Sequence, residues 1–288
     1  MIVGLLRAMR PHQWVKNLFV IAPLVFAKEL FLVPMLLRTL AAFALFCVAS
    51  STVYILNDIA DAEADRAHPL KKNRPIASGR VPVHVARWAA AAMAVVAIGG
   101  GALLNLPFAA TIACYLLLNV AYSARLKRIA YVDVMCITAG FELRVLGGAS
   151  AALVEASEYL LIVTFLLATF LGFGKRMHEL AQADAKKQRD VLASYDGRTL
   201  TVLLYITALA TVATYAVYTV DPSTRGAFGT DYLVVTTAMP LFGVLRFLHL
   251  VRRPHSAESP TEEMLRDKPF LANLAMWAVA VIVVIYLG

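Results

Sequence analysis

The segment Asn57-Asp58-Ile59-Ala60-Asp61-Ala62-Glu63-Ala64-Asp65 holds three aspartates at spacings of three and four. On a continuous helix of about 100° per residue, Asp58, Asp61 and Asp65 fall within roughly 60° of one another. They end an apolar run, residues 38–57, long enough to cross a membrane. Carboxylates at a helix C-terminus oppose the helix dipole and each other, so they call for a cation. Mg²⁺ prefers oxygen ligands, keeps several waters, and commonly bridges one or two carboxylates to substrate phosphates. The spacing therefore predicts a divalent-metal site at Asp58, Asp61 and Asp65. Asn57 stands beside it as a carbonyl ligand or a donor to phosphate. A solvated helix end is the alternative reading.

The next stretch reads His68-Pro69-Leu70-Lys71-Lys72-Asn73-Arg74-Pro75-Ile76-Ala77-Ser78-Gly79-Arg80. Two prolines and a glycine shape a loop, and Lys71, Lys72, Arg74 and Arg80 suit anionic oxygens. An acidic metal site beside a basic loop fits a diphosphate whose charge is shared between metal and cations.

These residues must be positioned by membrane helices. The chain has 288 residues, is 60% hydrophobic and 16% charged, and has a mean hydropathy of +0.70. A soluble domain averages about 25% charged residues. Nine spans are expected, near 17–34, 38–57, 86–104, 107–123, 131–150, 158–176, 200–220, 232–250 and 270–287. The fold class is thus an all-α integral membrane protein, a single helical bundle over 1–288 with polar loops near 58–85 and 177–199. Basic residues concentrate in the N-terminal segment and in 58–85, 124–130, 177–199 and 251–269, whereas Lys28, Arg38 and Arg225 alone mark the other face. The positive-inside rule puts the N-terminus and the long loops in the cytoplasm, in a cell inner (plasma) membrane. No cleavable signal is expected; the first span would direct insertion. This one-sided distribution argues against nucleic acid as the partner of the +8 charge. It also argues against a transporter, whose charged groups would line both halves of a path. Cys47, Cys114 and Cys136 read as small apolar residues without metal spacing. Gly99, Gly100 and Gly101 suit close helix packing within or between subunits, which leaves a homo-oligomer open.

Two spans carry further charge. Asp133, Gly140 and Arg144 are spaced by seven and four and share one face of span 5, with Glu142 opposite. Ionisable groups in a span usually face a bundle interior or a watery cavity; Arg144 is either a structural ion-pair partner or a phosphate contact. Lys175, Arg176 and Glu179 end span 6, followed by Asp184, the run Lys186-Lys187-Gln188-Arg189, and Asp190. The segment Arg10-Pro11-His12-Gln13-Trp14-Val15-Lys16-Asn17, read alone, is a basic interfacial anchor with a belt tryptophan. No Ser-His or Cys-His pair presents a nucleophile.

The run N-D-x-x-D-x-x-x-D from Asn57 to Asp65, with His68-Pro69 and Arg74-Pro75-Ile76-Ala77-Ser78-Gly79, resembles the UbiA superfamily of intramembrane prenyltransferases. The resemblance covers the whole chain. It implies a nine-helix bundle in which Mg²⁺ helps ionise a diphosphate, with Mn²⁺ as a substitute. Arg10-Pro11-x-Gln13-Trp14-x-Lys16-Asn17 resembles a phosphoribosyl-transferring branch of that superfamily. So do Tyr122-Ser123-x-x-Leu126-Lys127, Asp133-Val134, Gly140-Phe141-x-Leu143-Arg144 and Phe173-Gly174-Lys175-Arg176-x-x-Glu179. The implied reactants are 5-phosphoribosyl 1-diphosphate and a polyprenyl (decaprenyl) phosphate drawn from the lipid bilayer. The implied product leads towards an arabinose donor for cell-wall arabinan. The implied catalytic residues are Asp58, Asp61 and Asp65. Arg10, Lys16, Asn57, Lys71, Arg74, Tyr122, Lys127, Lys175 and Arg176 would hold the donor's phosphates, and Gln13, Asp133 and Arg144 the lipid phosphate or the cavity. The superfamily usually carries a second D-x-x-x-D motif after span 6. Here Glu179 is the first choice for that role, with Asp184 and Asp190 behind it. A prenyltransferase with an aromatic acceptor is the enzyme alternative.

Overall fold

Prolines punctuate the first forty residues. Helix α1 (Ile2–Ala8) gives way at Arg10 to a 3₁₀ segment, Pro11–Val20, and then to the short α2 (Ala22–Phe26), each with a proline at its first or second position. Helix α3 (Val33–Ala60) starts on another such proline, Pro34; proline lacks an N–H and is tolerated at a helix start. The expected first span, 17–34, is therefore not one helix. The computed structural model describes residues 1–67, 71–181, 190–252 and 260–288.

Beyond α3 lie α4 (Ala62–Ala67), α5 (Val83–Leu104), α6 (Leu106–Ala124), α7 (Val132–Ala152), α8 (Glu158–Leu180) and α9 (Gly197–Val220). The chain continues through α10 (Pro222–Phe228), a 3₁₀ turn (Tyr232–Thr237), α11 (Ala238–Arg252), α12 (Pro260–Arg266) and α13 (Lys268–Leu287). Among the described residues, eight helical segments are long and apolar enough to cross a membrane. They carry exposed apolar side chains such as Leu103, Leu209 and Val95, as a lipid-facing surface requires. The protein is an all-helical, multi-pass membrane protein. Seven of the nine expected spans agree with these helices to within a few residues; the eighth, 38–57, lies inside the longer α3.

The chain packs as two compact units. One comprises Met1–Leu126 and Gly140–Ala156, the other Lys127–Ala139 and Ser157–Gly288, so α7 contributes to both. In the first unit, α3 packs against α5 and the Pro11–Val20 segment, around Phe46, whose ring meets those of Phe108 and Tyr115 edge-on, 5.7 Å away in each case. Gly148 lets the backbone of Val20 approach α7 closely: a Cβ there would lie 2.0 Å from the Val20 carbonyl oxygen. Arg38, one of the few basic residues on the sparsely charged side, donates to the carbonyls of Leu104 (2.9 Å) and Ala151 (2.8 Å), at the ends of α5 and α7. It satisfies helix-end carbonyls that would otherwise be orphaned.

In the second unit α8 packs on α9, and Phe170 and Phe247 meet at 4.9 Å. Gly174 leaves room for the Phe247 ring, 2.4 Å from where its Cβ would be. Asp267 accepts from the Phe270 N–H at the start of α13 and pairs with Arg246 at 2.7 Å.

Candidate active site

Helix α3 stops at Ala60, and Asp61 adopts φ −93°, ψ 3° as its C-cap before α4 resumes at Ala62. Ladder bonds persist across the bend: the Asp61 N–H donates to the Asn57 carbonyl (2.9 Å), and the Asp65 N–H to that of Asp61 (2.8 Å). The bend corrects the expected single face. Asp58 and Asp65 are buried, while Asp61 is partly exposed. Arg74 reaches both buried carboxylates through one nitrogen, Nη1, at 2.8 Å from Asp65 and 3.5 Å from Asp58. Arg10 closes on Asp58 at 2.6 Å and stacks over the Tyr54 ring, 5.1 Å from its centroid. Two carboxylates and two guanidinium groups thus balance.

Local backbone explains how these cations arrive. Arg10 has φ 51° and ψ 62°, a left-handed conformation rare for a non-glycine residue and disfavoured before proline. Such strain costs about 1–3 kcal/mol and is found where surroundings over-determine the residue. Residues 71–81 form a tight loop: the Arg74 N–H bonds to the Lys71 carbonyl (2.9 Å), the Ser78 N–H to that of Arg74 (2.9 Å), and Gly79 turns with φ 77°. Arg80 props this loop through Ser78 and the Asn73 carbonyl instead of reaching the carboxylates. Asn57 accepts from the Ser123 hydroxyl, tying α3 to the end of α6 beside Tyr122.

A second polar cluster lies in the other unit. Asp133 and Arg176 are sealed from solvent and pair at 2.5 Å. Arg176 also pairs with Glu179, one helical turn on. The Tyr195 hydroxyl donates to Asp133 and accepts from the Tyr131 N–H at 2.8 Å. Burial first, and then the hydrogen bond to Asp133, push the Tyr195 phenol above its ordinary pKa.

A third group belongs to the first unit. Arg144 donates to the Asn17 side chain (2.8 Å), the Gly140 carbonyl (2.6 Å) and the Tyr115 hydroxyl (3.0 Å). Asp133 and Arg144, expected on one face of one span, therefore serve different clusters. The indole N–H of Trp14 donates to Ser51 at 3.0 Å, tying the segment to α3.

The UbiA prenyltransferase family matches residues 18–266. The chain belongs to that family. It is 31% identical to the decaprenyl-phosphate phosphoribosyltransferase of Corynebacterium glutamicum, over 99% of this chain and 87% of that protein. It is 32% identical to the protein of the same name from Mycolicibacterium smegmatis, over 96% and 91% of the two chains. A UbiA homologue from Archaeoglobus fulgidus bound to GPP and Mg²⁺ has the same fold, with a TM-score of 0.72 over 98% of this chain and 99% of that one, at 18% identity.

In this UbiA enzyme the aspartate cluster suits a hard divalent cation. Its two buried carboxylates already share one positive nitrogen, and Mg²⁺ needs only one or two protein carboxylates when water and phosphate complete its shell. Among the described residues no three His, Cys, Asp or Glu side chains converge as a metal-ligand group, so the three aspartates are not drawn together in this structure. Gln13 is buried, and its side-chain oxygen lacks a hydrogen-bond partner. Lys16, Lys71, Tyr122, Lys127 and Lys175 are partly exposed. Asp184, His68 and Arg189 lie outside the described residues, as does the side chain of Asp190. Sequence reasoning missed Tyr54, although its spacing of four from Asp58 marks a shared helix face. It also missed Tyr115 and the use of Asn17 as a partner of Arg144.

Proposed function

We propose that this enzyme transfers 5-phosphoribose from 5-phosphoribosyl 1-diphosphate to a polyprenyl phosphate of the decaprenyl type, releasing diphosphate. The observation that carries this reading is identity of 31–32%, over nearly the whole of both chains, to proteins named for decaprenyl-phosphate phosphoribosyl transfer. The paired Asp58 and Asp65, with Arg10 and Arg74 beside them, support it: the cluster offers both a metal's ligands and cations for a diphosphate. We further propose that the product is a precursor of an arabinose donor for cell-wall arabinan.

Asp58 and Asp65, with Asp61 at the bend, would hold Mg²⁺. When bound, the ion would neutralise charge on the departing diphosphate. Arg10 and Arg74 turn from the carboxylates to phosphate oxygens as the donor binds, while Asn57, Lys16, Lys71 and Tyr122 line the same unit. Arg176, sealed between Asp133 and Glu179, acts by holding Glu179 in place instead of touching phosphate. The bond from ribose C1 to the diphosphate oxygen breaks, positive charge builds on the ring, and the lipid phosphate oxygen closes on C1 from the opposite side. The lipid phosphate is already anionic at neutral pH, so no general base is required.

The enzyme is read as one catalytic domain over 1–288 in the inner membrane, with its N-terminus and aspartate cluster on the cytoplasmic side. Pro11–Val20 at about 2.0 Å per residue and Ala22–Phe26 at about 1.5 Å would together reach roughly 28 Å if laid straight, close to a hydrocarbon core of about 30 Å. The broken segment would thus serve as a ninth crossing.

A prenyl diphosphate donor is the second reading, favoured by the match to the UbiA prenyltransferase family. Purified protein in lipid, given labelled 5-phosphoribosyl diphosphate and decaprenyl phosphate, should form a lipid-linked phosphoribosyl phosphate that EDTA abolishes. Product from a labelled prenyl diphosphate and an aromatic acid, with none from the sugar donor, would reverse the choice.

A further inference from the structure

Among the described residues, Arg144 is a buried cation with no anionic partner. It is 6% exposed, and all three of its hydrogen-bond partners are neutral: the Asn17 amide, the Gly140 carbonyl and the Tyr115 hydroxyl. A guanidinium carries five N–H donors, so two remain. The faces of Tyr115 and Phe141 lie 4.7 and 5.4 Å from its central carbon. Cation–π contacts help, but they do not replace a counter-charge in a membrane interior. The contrast within the chain is direct. Arg10 and Arg74 touch Asp58 or Asp65, and Arg176 touches two carboxylates.

The neutral partners aim Arg144. Asn17 spends its amide N–H groups on Ser50 (3.1 Å) and Cys47 (3.3 Å), which turns its oxygen towards the guanidinium. Tyr115, itself buried, holds a second edge. Tyr54 lies within electrostatic reach of both Arg144 and Arg10 and precedes Asp58 by one turn of α3. Asn17, which holds Arg144, is itself anchored at Cys47 and Ser50, about two to three turns of α3 before Asp58. The guanidinium is thus set apart from the carboxylates that a diphosphate–metal complex would use.

We propose that Arg144, aimed by Asn17 and Tyr115, is a subsite for a phosphate monoester, separate from the metal–diphosphate site at Asp58 and Asp65. A monoester dianion needs no metal, matches the planar fork of an arginine, and supplies the missing counter-charge. This inference rests on the reaction proposed above for its ligands. Both reactants carry such a group: the polyprenyl phosphate at its head and the sugar donor at its 5-position.

The test uses the full chain in detergent with EDTA, and measures binding of farnesyl phosphate, ribose 5-phosphate and farnesol. The unaltered protein should bind at least one monoester and discriminate against farnesol. Arg144→Gln should weaken that monoester about tenfold or more, and Arg144→Lys by less. The monoester that is lost identifies which reactant uses the subsite. Magnesium diphosphate, tested separately with Mg²⁺, should bind Arg144→Gln as before and fail on Asp58→Asn. The unfolding midpoint without ligand should not fall in Arg144→Gln, because an uncompensated buried charge is removed. Unchanged monoester affinity in Arg144→Gln with a lowered midpoint would make Arg144 a structural clamp and overturn the proposal. So would the absence of monoester binding in the unaltered protein, or loss of magnesium diphosphate binding from both Arg144 variants. Monoester binding through Arg144 in a protein that transfers no phosphoribose would sink the reaction and leave the subsite standing.

Discussion

The two carboxylate–arginine clusters differ in what they let solvent see. At Asp58 and Asp65 the carboxylates are buried, but the side chains of Arg10 and Arg74 remain 26% and 22% exposed. At Asp133 both the acid and Arg176 are fully enclosed, under Tyr195 and the apolar core around Phe170 and Phe173. A cation that keeps one side in water can exchange its carboxylate for an incoming anion at modest cost. A cation with no exposed side cannot leave without exposing a bare buried charge. The same residue types therefore leave one cluster free to exchange ligands, as the proposed site requires, and make the other a fastening. Each has a positive-φ residue alongside, Arg10 and Tyr131, so backbone strain alone does not distinguish them.

The largest effect should follow from breaking the fastening. Asp133→Ala leaves the sealed Arg176 with Glu179 alone and should cost about 3–5 kcal/mol of stability, read by denaturant unfolding in detergent; a loss below about 1 kcal/mol would erase the distinction between the clusters. Asp58→Asn should do the reverse, lowering phosphoribosyl transfer by about a hundredfold or more with a much smaller change in unfolding. Arg74→Lys should raise the donor KM by roughly ten- to a hundredfold, since an ammonium lacks the planar fork with which arginine would grip a phosphate bidentately. Equal KM values would mean that Arg74 is only scaffolding.

The smallest effect tests the seal on the second cluster. Tyr195→Phe removes one hydrogen bond to Asp133 and should cost about 1 kcal/mol. Its signature is in the pH profile. The Tyr195 pKa is raised in the folded state, so its contribution is complete below the unfolded phenol pKa of about 10 and declines as pH rises above it. The unaltered protein should lose stability above about pH 10 more steeply than Tyr195→Phe. Superimposable alkaline limbs would show that Tyr195 is not held as described.

The sequence made the open cluster legible because its parts are close in the chain. Asp58, Asp65 and Arg74 span seventeen residues, and helix spacing plus a proline–glycine loop brings them to one end. The bend at Asp61 was not legible, since Ala60-Asp61-Ala62 carries no helix breaker and burial of the flanking aspartates decides it. The pairs Asp133–Arg176 and Asn17–Arg144 were also hidden. The latter joins residues 127 apart, and nothing in an apolar span's composition says which polar group meets which. Eight spans could be read because apolar length alone suffices. The segment 17–34 could not, because tertiary partners, not hydropathy, choose its geometry.

That segment has a consequence for the chain's tolerance of change. In a 3₁₀ helix residues three apart eclipse one another, and Trp14, Asn17 and Val20 form such a row. They meet Ser51, then Ser50 with Cys47, and then Gly148. The row works like the teeth of a rack with a three-residue pitch. Winding it as an α-helix would offset each tooth from the last by about 60°. Inserting one residue between Trp14 and Asn17 would throw Asn17 and Val20 out of mesh with Trp14. Length here is fixed by gearing as well as by the thickness of membrane to be crossed.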